Sequence, residues 1–121
     1  MNKEQYEVFV SANEYIQRFI PGINQLCIEF RDEDISNIEN LVGGLEGFAW
    51  LVEVISLTSD SHDMKVDIDR IEEQLQEITK VLNEGTFSAI SDIIENEIVP
   101  LVTEWDNGIK TLLANYTEFL N

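Results

Sequence analysis

The chain is poor in the residues that do most site chemistry, with one cysteine, Cys27, and one histidine, His62. A single cysteine forms no intrachain disulfide, so packing alone must hold the fold, and a reducing compartment, the cytoplasm, is the expected home. A single histidine rules out the paired Glu-x-x-His ligands of di-iron helical proteins. It also leaves Ser-His-Asp and Cys-His catalysis without a base near Cys27. His62 stands in Thr58-Ser59-Asp60-Ser61-His62-Asp63, a run of capping types where a solvated or capping role is the ordinary one.

Cations are scarce too: 7 Lys and Arg stand against 24 Asp and Glu, a net charge of −17. Such a field repels nucleic acid and anionic membranes and favours a basic partner. There is no glycine-rich phosphate loop after a strand and no strand pattern at all. Asp32-Glu33-Asp34 lacks the glycine and distal glutamate of a calcium loop. The opening residues MNKEQYEVF carry no basic-then-apolar leader, and no window reaches the roughly 18 uninterrupted apolar residues of a membrane span. Neither cofactor, metal, nucleic acid nor membrane is expected, and the Asn115-Tyr116-Thr117 sequon is idle in a cytoplasmic protein.

What is abundant is apolar side chains, 44% of the chain, spaced for helices. In a chain of 121 residues this predicts one all-α domain, an antiparallel four-helix bundle running up-down-up-down. Helix 1, about 3–31, carries Tyr6, Phe9, Asn13, Ile16, Ile20, Ile23, Cys27 and Phe30 at alternating steps of three and four. Pro21 is expected to kink it. Helix 3, about 63–84, carries Met64, Ile68, Ile71, Leu75, Ile78 and Leu82, and Gly85 ends it. Helix 4, about 87–119, carries Phe87, Ile90, Ile94, Ile98, Leu101, Trp105, Gly108, Leu112, Tyr116 and Phe119. Two consecutive steps of four near Ile98, beside Pro100, predict local unwinding and a second kink.

Helix 2, about 35–57, is the most apolar stretch and is expected to be the central element. Ile38, Leu41, Val42, Leu45, Phe48, Ala49, Val52 and Ile55 fall on one face, which should be core. Gly43, Gly47, Trp50 and Val54 fall opposite, where water is expected. Glycines inside a helix cost about 1 kcal/mol each relative to alanine, so they imply a close approach, either by another helix of this chain or by a partner anchored on Trp50. Glu39, Glu46 and Glu53 recur every seventh residue along the flank and read as a solvated edge.

Gly44-Leu45 through Trp50-Leu51, a Gly-Leu-x-x-x-x-Trp-Leu helix, and Glu97-Ile98-Val99-Pro100 with Trp105 resemble small uncharacterised acidic helical proteins of bacteria. The resemblance implies a helical domain of unknown function and transfers no activity. In general character the chain also resembles flagellar and secretion chaperones, with no shared motif. Glu4-x-x-Glu7 and Glu29-x-x-Asp32 match the letters of magnesium-dependent helical nucleotide pyrophosphatases, but both pairs lie on one predicted helix and meet only if the chain folds back at Pro21-Gly22.

The leading expectation is therefore a non-enzymatic protein-binding module, an adaptor or export chaperone. It receives a basic or amphipathic helix near Gly43, Gly47, Trp50 and Val54 or near Trp105. The alternatives are an acidic inhibitor of the immunity-protein or antitoxin kind, a homodimer seamed along the glycine face of helix 2 and, least favoured, the pyrophosphatase.

Overall fold

Asn2 starts the first helix with a capping box: its side chain accepts from the Gln5 N–H at 2.9 Å, and its own N–H donates to Gln5 Oε1 at 3.3 Å. From there α1 runs over Lys3–Arg31 without interruption, passing through Pro21. Pro21 and Gly22 lie on its exposed side, where solvent can satisfy a carbonyl left without its usual backbone donor. The computed structural model describes the backbone of residues 1–120 and the side chains of residues 1–116, so Phe119, expected on the helix 4 stripe, lies outside the described side chains.

Every regular element among the described residues is helical. After α1 come α2 (Glu39–Leu57), a 3-10 turn (Ser59–Ser61), α3 (Ile68–Glu84) and α4 (Phe87–Ile93). A π-helical stretch (Ile94–Ile98) then leads into α5 (Val99–Leu120). These last three follow without a gap and make one fourth helical element. The π stretch lies where two steps of four beside Pro100 predicted unwinding. It carries the buried face from Ile94 and Ile98 on to Val102, Trp105 and Ile109, so Val102 and Ile109 are buried where Leu101 and Gly108 were expected.

The central helix is α1, not α2. It packs against α2, α4, α5 and the π stretch, and it buries Phe9, Ala12, Ile16, Phe19, Ile23, Leu26, Cys27 and Phe30. Three contacts tie it to the fourth helical element. Tyr6 stacks on Tyr116 at 4.5 Å, Gln17 Nε2 donates to Asp106 Oδ1 at 2.9 Å, and Ser91 Oγ donates to the Cys27 carbonyl at 3.1 Å. Towards α2, Tyr15 meets Trp50 while Ile23 lies against Gly44. Burial and nearby Glu95 push the Cys27 thiol up to about 11, so it stays protonated as a core side chain.

Two helix starts differ from expectation. Helix 2 begins at Glu39 rather than 35, because Asp34 accepts from the Ser36 N–H at 3.0 Å and the Ser36 hydroxyl at 2.6 Å, a local turn that competes with helix. Helix 3 begins at Ile68 rather than 63, because Asp67 is the residue that caps it, accepting from the Arg70 N–H at 3.1 Å.

Residues 62–67 instead form a non-helical strap. It turns away from α2 at His62, whose Nδ1 accepts from the Met64 N–H at 2.9 Å and whose Nε2–H donates to the Ile55 carbonyl at 2.9 Å. The histidine is thus a cap for the end of α2. Met64, expected on the helix 3 stripe, lies in the strap against Gly108, where a Cβ would overlap its sulfur.

Gly85 ends α3 with φ +75°, in the left-handed region, its N–H donating to the Leu82 carbonyl at 3.1 Å and that of Thr86 to Val81 at 3.2 Å. Gly43, by contrast, has ordinary helical geometry and nothing within 4 Å of where a Cβ would stand. The two should respond oppositely to alanine. Gly85→Ala is expected to lower stability in urea by about 1 kcal/mol, and Gly43→Ala to raise it by up to about 1 kcal/mol.

Candidate functional site

The buried side of α2 coincides only in part with the one its apolar residues suggest: of that face Leu41, Phe48 and Ile55 are buried and Ile38, Leu45 and Val52 pack against the core. Leu41, Phe48, Leu51, Val54, Ile55 and Thr58 are buried, with Gly44 half-buried between them, giving a seam at alternating steps of three and four. Val42 and Ala49, expected in the core, face outward, and Val54, expected outside, is buried. The physical reason is Gly44. A Cβ there would stand 3.2 Å from Ile23 Cδ1, so the glycine lets α1 come close on this seam and turns Val42 away.

Trp105 lies inside the core, 1% exposed, stacked on Phe48 at 5.8 Å, with its Nε1–H donating to the Lys65 carbonyl of the strap at 3.3 Å. A partner reaches it only by lifting the strap. Gly47 is covered by α1, since a Cβ there would overlap the Tyr15 hydroxyl. Trp50 is 38% exposed and rests edge-on against the same Tyr15 ring at 5.9 Å, and Gly43 is open to solvent. Of the five candidate residues, Gly43 and Trp50 therefore lie on the surface, Gly47 joins them through Tyr15, and Val54 and Trp105 belong to the interior.

Three further features complete this surface. Val42 is 55% exposed and Leu57 is 74% exposed, both large apolar side chains on the outer face of α2. Glu39, Glu46 and Glu53 are exposed on that face. Between Arg31 and Lys65 the chain contains no cation, while Asp32, Glu33, Asp34, Asp60 and Asp63 add to these three glutamates. Arg31 is occupied elsewhere, bridging Asp92 at 3.0 Å and Glu95 at 2.7 Å, and Arg70 pairs with Glu73 and Glu97. Among the described residues no ion pair involves α2.

By length and composition α2 is also apolar enough to cross a membrane, contrary to the sequence expectation, with only 28% of the qualifying stretch buried. Glu46 and Glu53 weigh against a lipid setting, since a charged side chain in mid-bilayer costs about 3 kcal/mol.

The pyrophosphatase-like pairs are not brought together. Glu4-Glu7 and Glu29-Asp32 sit at opposite ends of the uninterrupted α1, roughly 37 Å apart at 1.5 Å per residue. Among the described residues no group of three or more His, Cys, Asp or Glu could hold a metal ion. A cleft of about 220 Å³ between α1 and α2, lined by Phe19, Gly22, Ile23, Leu26 and Gly44, offers only Arg18, Asn40 and the Tyr15 hydroxyl as polar groups.

The family of a domain of unknown function, DUF8042, matches residues 7–108. The chain belongs to the DUF8042 family. The match spans most of α1, all of α2, α3, α4 and the π stretch, and the first part of α5, so the whole outer face of α2 lies within the DUF8042 domain. No curated protein and no solved structure matches the chain.

The two tryptophans should separate cleanly. Trp105→Ala is expected to cost about 3–5 kcal/mol of stability and Trp50→Ala under about 1 kcal/mol, measured by urea unfolding followed by circular dichroism. Acrylamide should quench Trp50 and spare Trp105.

Proposed function

We propose that this protein is a non-enzymatic protein-binding module, of the adaptor or export-chaperone kind, working in the cytoplasm on a basic or amphipathic helical partner. The observation that carries the reading is α2. The most apolar helix of the chain turns Val42, Trp50 and Leu57 outward and surrounds them with carboxylates that have no cation of their own. Exposed large apolar groups together with one sign of charge are what a partner of the opposite sign recognises, and Trp is enriched among residues that anchor interfaces. We read the arrangement beneath this face as an antiparallel up-down-up-down four-helix bundle, bent at Pro21 and at Pro100, with α1 at its centre.

The acidic inhibitor is the second reading, favoured by the cation-free stretch between Arg31 and Lys65. Salt separates the two. An inhibitor steered by charge loses association rate steeply between 0.05 and 0.5 M salt, whereas docking on apolar groups keeps most of its affinity. The test is capture of partners from the native cell on the immobilised protein, compared with its Trp50→Ala form. The expected result is a protein with a basic amphipathic segment, retained at about 0.3 M salt by the wild type and lost from the variant. Equal retention by both forms would place the interface elsewhere.

A further inference from the structure

The exposed face of α2 is not a random scatter of apolar and acidic groups. At 100° per residue, Glu39, Glu46 and Glu53 form one row along the helix. Val42 and Ala49 form a second row on one side of it, and Gly43, Trp50 and Leu57 a third on the other, each repeating every seven residues and each exposed. The carboxylate row is therefore walled by apolar groups on both flanks, with spacing along the axis of roughly 10.5 Å. That is about one Debye length at 0.1 M salt, so these charges still repel one another, and among the described residues none of them is in an ion pair.

Resting on the protein-binding reading above, we propose that this face takes one helix of a partner protein, aligned along α2 rather than across it. That helix carries Lys or Arg at every seventh position opposite Glu39, Glu46 and Glu53, and apolar residues on either side of that row. Several observations fix this occupant. A steeply crossing helix meets one carboxylate, whereas one within about 20° of α2, the common angle for aligned helices, meets all three. Gly43 beside Trp50 and Ala49 on the opposite flank are the small residues that let a backbone approach. A second copy of this chain fits poorly, because it brings a net charge of −17 and the same carboxylate row against the first. The glycine that costs helix stability at 43, with no atom of the described residues within 4 Å of where its Cβ would stand, then has a use outside the chain.

The test uses the full protein and two synthetic peptides of about 20 residues with identical composition. One places lysine at every seventh position between leucine and alanine rows. The other distributes the same lysines around the helix. Titration calorimetry at 0.1 M salt should show the seven-spaced peptide binding at least 10-fold more tightly. That preference should fall below about 3-fold in the Glu46→Gln/Glu53→Gln protein, and Trp50→Ala should weaken both peptides.

Equal binding of the two peptides, still weakened by Trp50→Ala, overturns the aligned row while leaving the protein-binding face standing. No binding of either overturns the inference and removes the support of α2 for the broader reading. A dimer in sedimentation that Trp50→Ala abolishes also overturns it, because a second copy is then the occupant.

Discussion

The rest of the structure depends on covering one broad surface, the buried face of α1. Phe9, Ala12, Ile16, Phe19, Ile23, Leu26 and Phe30 form one seam, and Tyr6, Asn13, Ile20 and Cys27 lie beside it, together roughly 160° of the helix at 100° per residue. An arc that wide cannot be buried by a single neighbour. It is enclosed by α2 on one side and by α4, the π stretch and α5 on the other. The glycines sit where this enclosure is tightest, Gly44 under Ile23 and Gly47 under Tyr15. α3 is shorter than its apolar pattern suggests and packs on α4, and the strap at 62–67 takes over from it to cover Trp105.

Charge is distributed as unevenly as burial. The few cations hold the fold at its joints: Arg31 ties α1 to Asp92 and Glu95, Arg70 ties α3 to Glu97, and Lys110 pairs at 2.8 Å with Asp106, which Gln17 reaches from α1. None of these three reaches α2, and among the described residues no ion pair involves it. A helix whose inner side is taken up by α1 and Trp105 and whose outer side is apolar, acidic and without an ion pair has more surface chemistry than folding requires. That surplus is the physical basis for reading it as a binding face.

Much of this was legible in the residues. The helical class, the capping glycine at 85 and the disturbance beside Pro100 follow from local chemistry that tertiary contacts did not override. The choice of central helix did not, because α2 is apolar on nearly every side, and hydrophobicity without a polar face does not say which side is buried. The seam Leu41-Gly44-Phe48-Leu51-Ile55-Thr58 was present, but a face defined by apolar side chains leaves Gly44 out of it. The starts of α2 and α3 were misplaced because capping types are plentiful in both linkers, and only geometry shows that Asp34 closes on Ser36 while Asp67 caps α3. In the candidate site, the sequence left open whether another helix covers Gly43 and Trp50, and it left Trp105 ambiguous. Its burial depends on Phe48 and on the Lys65 carbonyl, neither of which is near it in sequence.

Amide hydrogen exchange of the isolated protein tests the central claim most directly, because protection follows how deeply each element is tied into the core. If α1 is the helix the fold closes around, the amides from Phe9 to Phe30 exchange most slowly of all. Those on the outer side of α2, including Val42, Ala49, Trp50 and Glu53, should exchange well before them. Slowest exchange in α2, with α1 opening first, would contradict the account and return α2 to the centre of the fold.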